Sequence, residues 1–302
     1  MKLDRFSRLS KPRFPILSRR PLALKFLRVY TLAGSLATAL GALCGGGLTQ
    51  ALQHTAMTHV QSYRAVVFLY AALGVALAFL FLRLSTSVEV SPASNGPVPS
   101  SSFAGIFGIV RSRNVVLKLS GLFALDSFAG GFVVQSFAAY WFYLRFGVQP
   151  AALGAIFFWA NVFAGISALL ATRLAARIGL IRTMVVTHLP SNILLILVPL
   201  MPNLSLAVLM LLLRFSISQM DVPTRQSYTM AVVPAEERSA AGGFSGVART
   251  TGAAISPLLA GFLFARPSLI NAPFFVAGAL KIIYDLLLYK QFVAVRPPEE
   301  AG

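Results

Sequence analysis

The sequence predicts an all-α fold, a polytopic membrane helical bundle with about eight transmembrane helices. The first observation is composition: 57% of the 302 residues are hydrophobic and only 12% are charged. A soluble domain carries about 25% charged residues. The second observation is a mean hydropathy of +0.75. The third is the recurrence of apolar runs of about 20 residues, the length that crosses a bilayer core. Because hydrocarbon offers the backbone no hydrogen bonds, such runs are predicted to be helices.

Charged residues mark the ends of the apolar segments, which we label A to H in chain order. Segment A contains the run GSLATALGALCGGGL, and no charge falls between Arg28 and Arg64. A turn, MPNLS, separates segments E and F. The predicted helices cover residues 29–52 (A), 64–83 (B), 115–143 (C), 150–172 (D), 183–201 (E), 206–222 (F), 239–265 (G) and 272–292 (H).

The stretch SVEVSPASNGPVPSSS is rich in Ser and Pro, which is typical of a flexible linker. It divides the chain into a part with two helices and a part with six, and six helices permit a three-plus-three repeat. The sequence therefore predicts a basic cytoplasmic arm (1–28), a partial N-terminal bundle of two helices (29–84), a cytoplasmic linker (85–114), a C-terminal six-helix bundle (115–292) and a tail (293–302).

The formal net charge of +17 would favour nucleic acid in a soluble protein. Here nine of the 26 Lys and Arg residues lie in residues 1–28 and most others separate apolar segments, so no nucleic-acid partner is expected. Basic residues accumulate on the cytoplasmic side of membrane proteins. The sequence therefore predicts an integral protein of the plasma or inner membrane with both termini in the cytoplasm. Arg64, Arg145 and Arg266 then lie outside, and the loops inside contain Arg83, Arg111, Arg113, Arg173, Arg177, Arg182, Arg225, Arg238, Lys290 and Arg296.

Ionisable side chains at membrane depth are costly and suggest functional sites. Asp126 lies about 16 Å into segment C, and Arg214 lies at a similar depth in segment F. They are predicted to form a pair that faces a central cavity and binds substrate or coupling ion. A structural ion pair that fixes helix packing is an equal alternative. Asn161 and Gln219 either line the same cavity or bond between helices.

Other polar and small residues are given structural roles. Lys281 and Asp285, four residues apart in segment H, are predicted to pair with each other. Gln135 is expected to bond between helices. Two G-x-x-x-G spacings, Gly41 with Gly45 and Gly242 with Gly246, are predicted to be faces of close helix packing.

The stretch QMDVPTRQSYTMAVVPAEERSAA lies between segments F and G and has two interpretations. In one, it is a solvated cytoplasmic turn that follows the inner end of segment F. In the other, Asp221 and Arg225 share a helix face and pair with arginines of the D–E loop to close a cytoplasmic gate. The candidate gate residues are Arg173, Arg177, Arg182, Asp221, Arg225, Glu237 and Arg238.

An enzyme is not expected from this sequence. His54 and His59 are five residues apart and lack the spacing and the glutamate of a zinc-binding helix. The run GFSG is not a nucleophile elbow, and no glycine-rich phosphate loop follows a strand. Nine acidic residues leave few carboxylates for acid–base chemistry. No catalytic residue, metal site or cofactor is therefore predicted.

Two loops resemble those of the major facilitator superfamily. The D–E loop, RLAARIGLIRT, matches the family's G-x-L-A-D-R-x-G-R-K pattern at Leu174, Ala175, Arg177 and Gly179, although Ala176 replaces its acid and Leu180 a basic residue. The stretch RFSISQMDVPTRQSY, with the following VVPAEERSAAGGFSGVAR, is similar to the junction of the tenth and eleventh helices of that family.

The resemblance implies that segments C to H correspond to the seventh to twelfth helices of such a transporter. Segments A and B are then similar to the fifth and sixth helices, and the first four are not recognised in the sequence. The implied function is secondary active transport of a small solute by alternating access. Its expected partners are the lipid bilayer, an unidentified small-molecule substrate and a proton or another coupling ion. The alternatives are a truncated remnant without transport activity, or a membrane scaffold or partner subunit.

Overall fold

The computed structural model describes residues 20–55, 57–83 and 108–295. Most of the predicted arm and linker and the last seven residues of the tail, 296–302, lie outside these ranges. Within the described part, the regular structure consists of α-helices and short 3-10 turns. The α-helices are α1 (Arg20–His54), α2 (His59–Leu82), α3 (Arg113–Gly131), α4 (Gln135–Phe146), α5 (Pro150–Ile178), α6 (Leu180–Leu197), α7 (Leu204–Ser218), α8 (Asp221–Val232), α9 (Arg238–Phe264) and α10 (Ala272–Phe292).

These helices form eight candidate membrane spans among the described residues, judged by length and composition. Two of the spans contain two helices each, Arg113–Phe146 (α3 and α4) and Leu204–Val232 (α7 and α8). The predicted all-α bundle with about eight spans is confirmed. Helix α1 begins at Arg20, inside the predicted basic arm, although its candidate span covers Leu32–His54.

Two segments that were each predicted as one continuous helix are interrupted in the structure. Segment C, predicted as one helix over 115–143, is interrupted between Gly131 and Gln135. Gly130 and Gly131 precede the interruption, and glycine is about 1 kcal/mol less favourable than alanine inside a helix. Segment F is likewise interrupted, and α8 continues it to Val232 where the solvated-turn interpretation expected a loop.

Glycine at a positive φ makes two of the tight connections possible. Gly179 has φ +86° and is the single residue between α5 and α6. Gly147 has φ +66° and ends α4 in the left-handed conformation. L-residues with a side chain rarely adopt such angles. Gly179 is also the glycine of the D–E loop pattern, so its place in that pattern has a backbone reason.

The closest helix contacts also depend on glycine, but on different glycines from those predicted. A Cβ atom at Gly46 would overlap the backbone oxygen of Pro150, so α1 approaches α5 there. A Cβ at Gly252 would overlap the backbone oxygen of Ala124, where α9 crosses α3. The G-x-x-x-G prediction is wrong, because a Cβ would meet nothing within 4 Å at Gly41, Gly45 or Gly246 and only the Met230 side chain, at 3.6 Å, at Gly242.

The apolar residues divide between an aromatic core and the outer surface. Trp141, Phe142 and Phe274 are fully buried, and the Trp141 indole donates to Asn271 Oδ1 at 2.8 Å. By contrast, α2 presents large apolar side chains outward, and Phe68 is 73% exposed. Large exposed apolar surfaces mark contact with lipid or with a partner. This core draws residues from all six spans from Arg113 onward, and a second apolar cluster, which includes Phe123 and Tyr284, contacts the charged residues described next.

Candidate functional site

Six ionisable side chains from four helices meet inside the C-terminal bundle, and we call them the charge cluster. Helix α3 supplies one of them, α6 one, α8 two and α10 two. Every one of them is buried, with at most 7% of the residue exposed. Charged groups are almost never buried unless they are paired. The members are Asp126, His188, Asp221, Arg225, Lys281 and Asp285.

Asp126 is the centre of the charge cluster. Its Oδ1 atom lies 2.5 Å from Lys281 Nζ and 3.9 Å from His188 Nε2. Its Oδ2 atom accepts a hydrogen bond of 3.0 Å from Arg225 Nη1. One carboxylate therefore joins α3 to α6, α8 and α10. Such charge-assisted bonds are roughly twice as strong as neutral ones, so Asp126 holds the four helices in register.

His188 links this carboxylate to a second one. Its Nδ1 atom lies 2.8 Å from Asp285 Oδ1, while its Nε2 atom faces Asp126. Asn192, one turn further along α6, donates to Asp285 Oδ2 at 2.8 Å. The imidazole is thus placed edge-on between two carboxylates and packs against the ring of Tyr284 at 5.9 Å. This arrangement allows either ring nitrogen to carry a proton toward a carboxylate.

Arg225 extends the charge cluster toward α8. Its Nη1 atom is 3.5 Å from Asp221 Oδ2 as well as 3.0 Å from Asp126. The guanidinium also lies over the ring of Phe123, 5.3 Å from its centroid. The predicted i, i+4 pair of Asp221 and Arg225 is therefore present. Its placement in a solvated turn was wrong, because both residues are 4% exposed and Arg225 pairs with Asp126.

The net charge of the cluster differs by one between protonated and neutral His188. The cluster has three carboxylates, and Arg225 and Lys281 are its two permanent cations. With a protonated His188, the six side chains carry no net charge when the carboxylates are ionised. With a neutral His188, they carry one negative charge. Because an uncompensated buried charge is costly, a single proton changes the electrostatic balance of the whole cluster.

Two predicted ion pairs are wrong. Lys281 bonds to Asp126, and Asp285 bonds to His188 and Asn192, so these neighbours on α10 use other partners instead of each other. Arg214 does not contact Asp126. Its guanidinium lies over the ring of Phe215 at 5.2 Å, and its Nε atom is buried without a hydrogen-bond partner. Spacing alone could not decide these pairs, because α3 and α6 bring competing partners to the same place.

The other cavity candidates, Asn161 and Gln219, are not members of the charge cluster. Asn161 on α5 donates to Gln135 Oε1 of α4 at 3.2 Å and to the Phe157 carbonyl at 2.7 Å. The side chain of Gln135 accordingly bonds between helices. Gln219 follows the end of α7 at the α7–α8 interruption and is partly buried.

The predicted latch to the D–E loop arginines is wrong. Arg173, Arg177 and Arg182 are exposed, and Asp221 and Arg225 form their ion pairs inside the charge cluster. Arg238 is also exposed, and its Nε atom donates to the Val233 carbonyl at 3.3 Å. The physical reason is that Asp221 and Arg225 already have buried partners. Arg225 lies between the carboxylates of Asp126 and Asp221, so Asp221 is not left to pair with an exposed arginine of the D–E loop.

Glu237 makes a different contact between loops, which the sequence did not suggest. Its Oε1 atom accepts from the backbone N–H groups of Val110 (3.0 Å) and Arg111 (2.7 Å). Its Oε2 atom accepts from the Ser112 N–H (3.0 Å) and the Ser112 hydroxyl. These hydrogen bonds lower the pKa of Glu237 to about 2, and the bond from the Ser112 hydroxyl has the largest effect. We call this contact the Glu237 clasp, because it fixes the residues before α3 to the α8–α9 junction.

Sequence reasoning found three members of the charge cluster as gate or cavity candidates but missed His188 and Asn192. His188 falls near the middle of segment E, so the rule that ionisable groups at membrane depth suggest functional sites could have found it. Asn192 follows at i+4, on the same helix face. No group of three His, Cys, Asp or Glu residues in the described ranges is arranged to hold a metal ion.

Comparison with known proteins supports the same family on independent grounds. A family model described as Major Facilitator Superfamily matches residues 145–302, more than half of the chain. The chain belongs to the major facilitator superfamily. The members of this superfamily are typically transporters rather than enzymes. The match begins near the end of α4 and includes α5 to α10, so it contains every member of the charge cluster except Asp126.

One relative extends the similarity over most of the chain. It is an uncharacterized membrane protein, YJR124C, of Saccharomyces cerevisiae, which is 26% identical over 292 residues. The alignment covers 88% of this chain and 65% of the yeast protein. The chain thus spans just under two thirds of the length of the curated relative that it matches. The name of the yeast protein identifies it as a membrane protein and gives no substrate.

Proposed function

We propose that the protein is a secondary active transporter that moves a small solute by alternating access. Membership of the major facilitator superfamily supports transport as the class of function. The observation that carries the proposal is the charge cluster, six ionisable side chains buried among membrane spans. Ionisable groups at that depth typically belong to substrate or ion pathways. We place the protein in a plasma or inner membrane with both termini in the cytoplasm.

The coupling ion that fits the charge cluster is a proton. His188 has a carboxylate near each ring nitrogen, so its protonation would add one positive charge between Asp126 and Asp285. Asp126 would respond to that change, because it contacts His188, Arg225 and Lys281. Arg249 on α9, which donates to Ser127 Oγ at 3.3 Å, and Arg214 on α7 are further cations near Asp126. A proton on His188 would thus alter contacts among four spans, those that contain α3, α6, α8 and α10.

Proteoliposomes loaded with a mixture of solutes test this proposal, because the identity of the solute need not be assumed. The purified full chain is reconstituted, the vesicles are loaded with a total small-molecule extract, and their contents are followed by mass spectrometry under an imposed proton gradient. We expect gradient-dependent loss of at least one solute, abolished by a protonophore and by Asp126→Asn. Glu236→Gln, which changes an exposed carboxylate outside the charge cluster, is expected to retain the flux.

A second pair of variants separates folding from transport. Lys281→Met leaves Asp126 without its nearest cation, and removing one partner of a buried pair costs about 3–5 kcal/mol. Asp126→Asn combined with Lys281→Met removes both charges and should regain stability, measured as thermal unfolding in detergent, without regaining flux. Gradient-dependent flux in the double variant would exclude Asp126 from coupling. A wild-type protein that moves nothing in the extract would contradict transport itself.

A further inference from the structure

A second feature, which shares no residue with the charge cluster, is a cavity of about 570 Å³ near the α1–α2 and α4–α5 connections. Its walls come from α1, α2, α4 and the start of α5, whereas the charge cluster is built on α3, α6, α8 and α10. We call it the α1–α4 cavity. Typical small-molecule sites have about 300–1,000 Å³, so the volume suits a ligand of that size. The α1–α4 cavity is therefore a second site of its own.

The shape of this cavity depends on two adjacent glycines of α1. At Gly46, α1 approaches Gly154 of α5 so closely that a Cβ atom would lie 2.9 Å from the Gly154 Cα. At Gly45, which lines the cavity, a Cβ would meet nothing within 4 Å. The first glycine thus fixes the two helices together, and the second leaves the space beside them open. The predicted packing role of Gly45 is replaced by a role in forming the cavity.

The lining is mainly apolar and aromatic, with hydroxyl and amide groups and one imidazole, that of His59. Tyr63 of α2, Tyr140 and Tyr143 of α4, and Phe157 of α5 present rings to the cavity. The lining residues in the described part of the chain include no Asp, Glu, Lys or Arg. A cation would therefore lose its hydration without gaining a carboxylate partner, and an anion would meet His59 as the one basic side chain, so burying a charged ligand here is costly. An uncharged ligand with a ring would bury apolar area against these side chains and stack on them.

Hydrogen-bonding groups in the lining are left for a ligand. Within the described ranges, the hydroxyls of Tyr63, Tyr140 and Tyr143 form no hydrogen bond with the protein. The Gln149 side chain precedes α5 without capping it. Gln53 uses its Nε2 atom to donate to Ser62 Oγ at 3.1 Å, and its Oε1 atom stays open to a donor. A ligand hydroxyl could both donate to and accept from this set.

We infer that the α1–α4 cavity is a binding site for an uncharged, ring-bearing small molecule with a hydroxyl or similar polar group. The aromatic lining supplies most of the contact, and the tyrosine hydroxyls and glutamine amides orient the polar group. Binding at this site needs no transport activity. Its failure would therefore leave the proposed function unaffected, and the converse also holds.

Photoaffinity labelling of the purified full chain in detergent tests the inference with three probes on one scaffold. The probes are phenyl-trifluoromethyl-diazirines that carry a neutral hydroxymethyl group, a carboxylate or a trimethylammonium group on the ring. We expect the neutral probe to label the peptides with Tyr63 and Tyr140 saturably and more strongly than either charged probe. Stronger labelling by the cationic probe would show an aromatic cage for cations and would overturn the assignment.

Gly45→Phe and Gly47→Phe form a matched pair for the same measurement. Each adds a ring at a position of α1 where a Cβ meets nothing within 4 Å, but only Gly45 lines the cavity. We expect Gly45→Phe to reduce saturable labelling by at least about tenfold and Gly47→Phe to leave it near wild type. Equal labelling of the two variants would overturn the inference.

Tyr140→Phe provides a variant that does not depend on filling the cavity. It keeps the ring, which contacts Phe264 at 6.0 Å, and removes the hydroxyl. Labelling by the hydroxymethyl probe should fall several-fold, whereas labelling by a fourth probe, the same phenyl-trifluoromethyl-diazirine without a ring substituent, should not change. An equal loss with both probes would show that the hydroxyl does not orient the ligand.

Discussion

Asp126 illustrates how much depends on a single carboxylate in this protein. It bonds to Lys281 at 2.5 Å and to Arg225 at 3.0 Å, and His188 lies 3.9 Å away. Each partner belongs to a different helix, so any change in one contact is felt by the others. A surface ion pair would contribute little. In this buried position, the geometry of four helices depends on how Asp126 shares its two oxygens.

The Glu237 clasp gives a prediction at the same scale. Glu237→Gln should increase hydrogen–deuterium exchange at Val110, Arg111 and Ser112, because an amide offers one acceptor oxygen where the carboxylate offers two. Glu236→Gln, an exposed neighbour, is the control and should not change exchange there. Protection at all three amides in Glu237→Gln would show that the clasp does not hold this segment.

The sign of the pH dependence follows from the lowered pKa of Glu237. The pKa falls from 4.5 to about 2, so the ionised form is favoured in the folded protein. The clasp therefore contributes stability above about pH 4.5 and loses it as the pH falls toward about 2. Exchange at Ser112 should be insensitive to protonation of Glu237 near neutral pH, after correction for intrinsic exchange. A protective effect that disappears near neutral pH would contradict the assignment.

At this scale the sequence predicted which residues were unusual but not which residues they contact. Asp126, Arg225 and Lys281 stand out as charges in or beside apolar segments, and all three are in the charge cluster. Their partners depended on helix rotation and on competition between carboxylates, which spacing along one helix does not determine. In the sequence, Glu237 looked like a solvated loop charge. Its carboxylate oxygens accept hydrogen bonds mainly from backbone N–H groups, and such donors cannot be recognised from the sequence.

At the scale of the helices, the sequence predicted the spans but not the breaks within them or the glycines at their contacts. Runs of apolar residues located every span, because length and hydrophobicity are local properties. The interruptions of α3–α4 and α7–α8 were missed, since each lies inside one candidate span and an apolar run predicts the span without showing a break within it. The glycines that allow close contact were also misassigned. Spacing identifies small residues, but only the rotation of a helix decides which of them face a neighbour.

Gly252→Ala tests the crossing of α3 and α9. A Cβ at Gly252 would overlap the backbone oxygen of Ala124, and backbone cannot move aside as a flexible side chain can. We expect a loss of about 1–3 kcal/mol, the usual cost of overpacking, seen as a lower thermal unfolding temperature in detergent. Gly246→Ala on the same helix, where a Cβ meets nothing within 4 Å, should be neutral or slightly stabilising. Equal effects of the two substitutions would contradict the packing assignment.

For the whole molecule, the predicted topology has both termini in the cytoplasm, and the even number of candidate spans among the described residues is consistent with it. Cys44 is the single cysteine of the sequence, so Cys44→Ala gives a background without thiols. In it, Thr55→Cys and Arg266→Cys should react with an impermeant maleimide from the outside of intact cells. Arg177→Cys and Arg238→Cys should react only after permeabilisation. Labelling of all four in intact cells would contradict the predicted topology.

The interruption between α3 and α4 has a mechanical consequence. Asp126 lies on the half before the break, where several neighbours grip it, whereas Gln135 and Tyr140 on the half after the break line the α1–α4 cavity. Gly130, at the break, lies where an added Cβ would be 3.7 Å from Lys281 Nζ. If a molecule bound in the α1–α4 cavity displaced α4, the displacement would be expected to act at this break, next to the ammonium group that neutralises the central carboxylate.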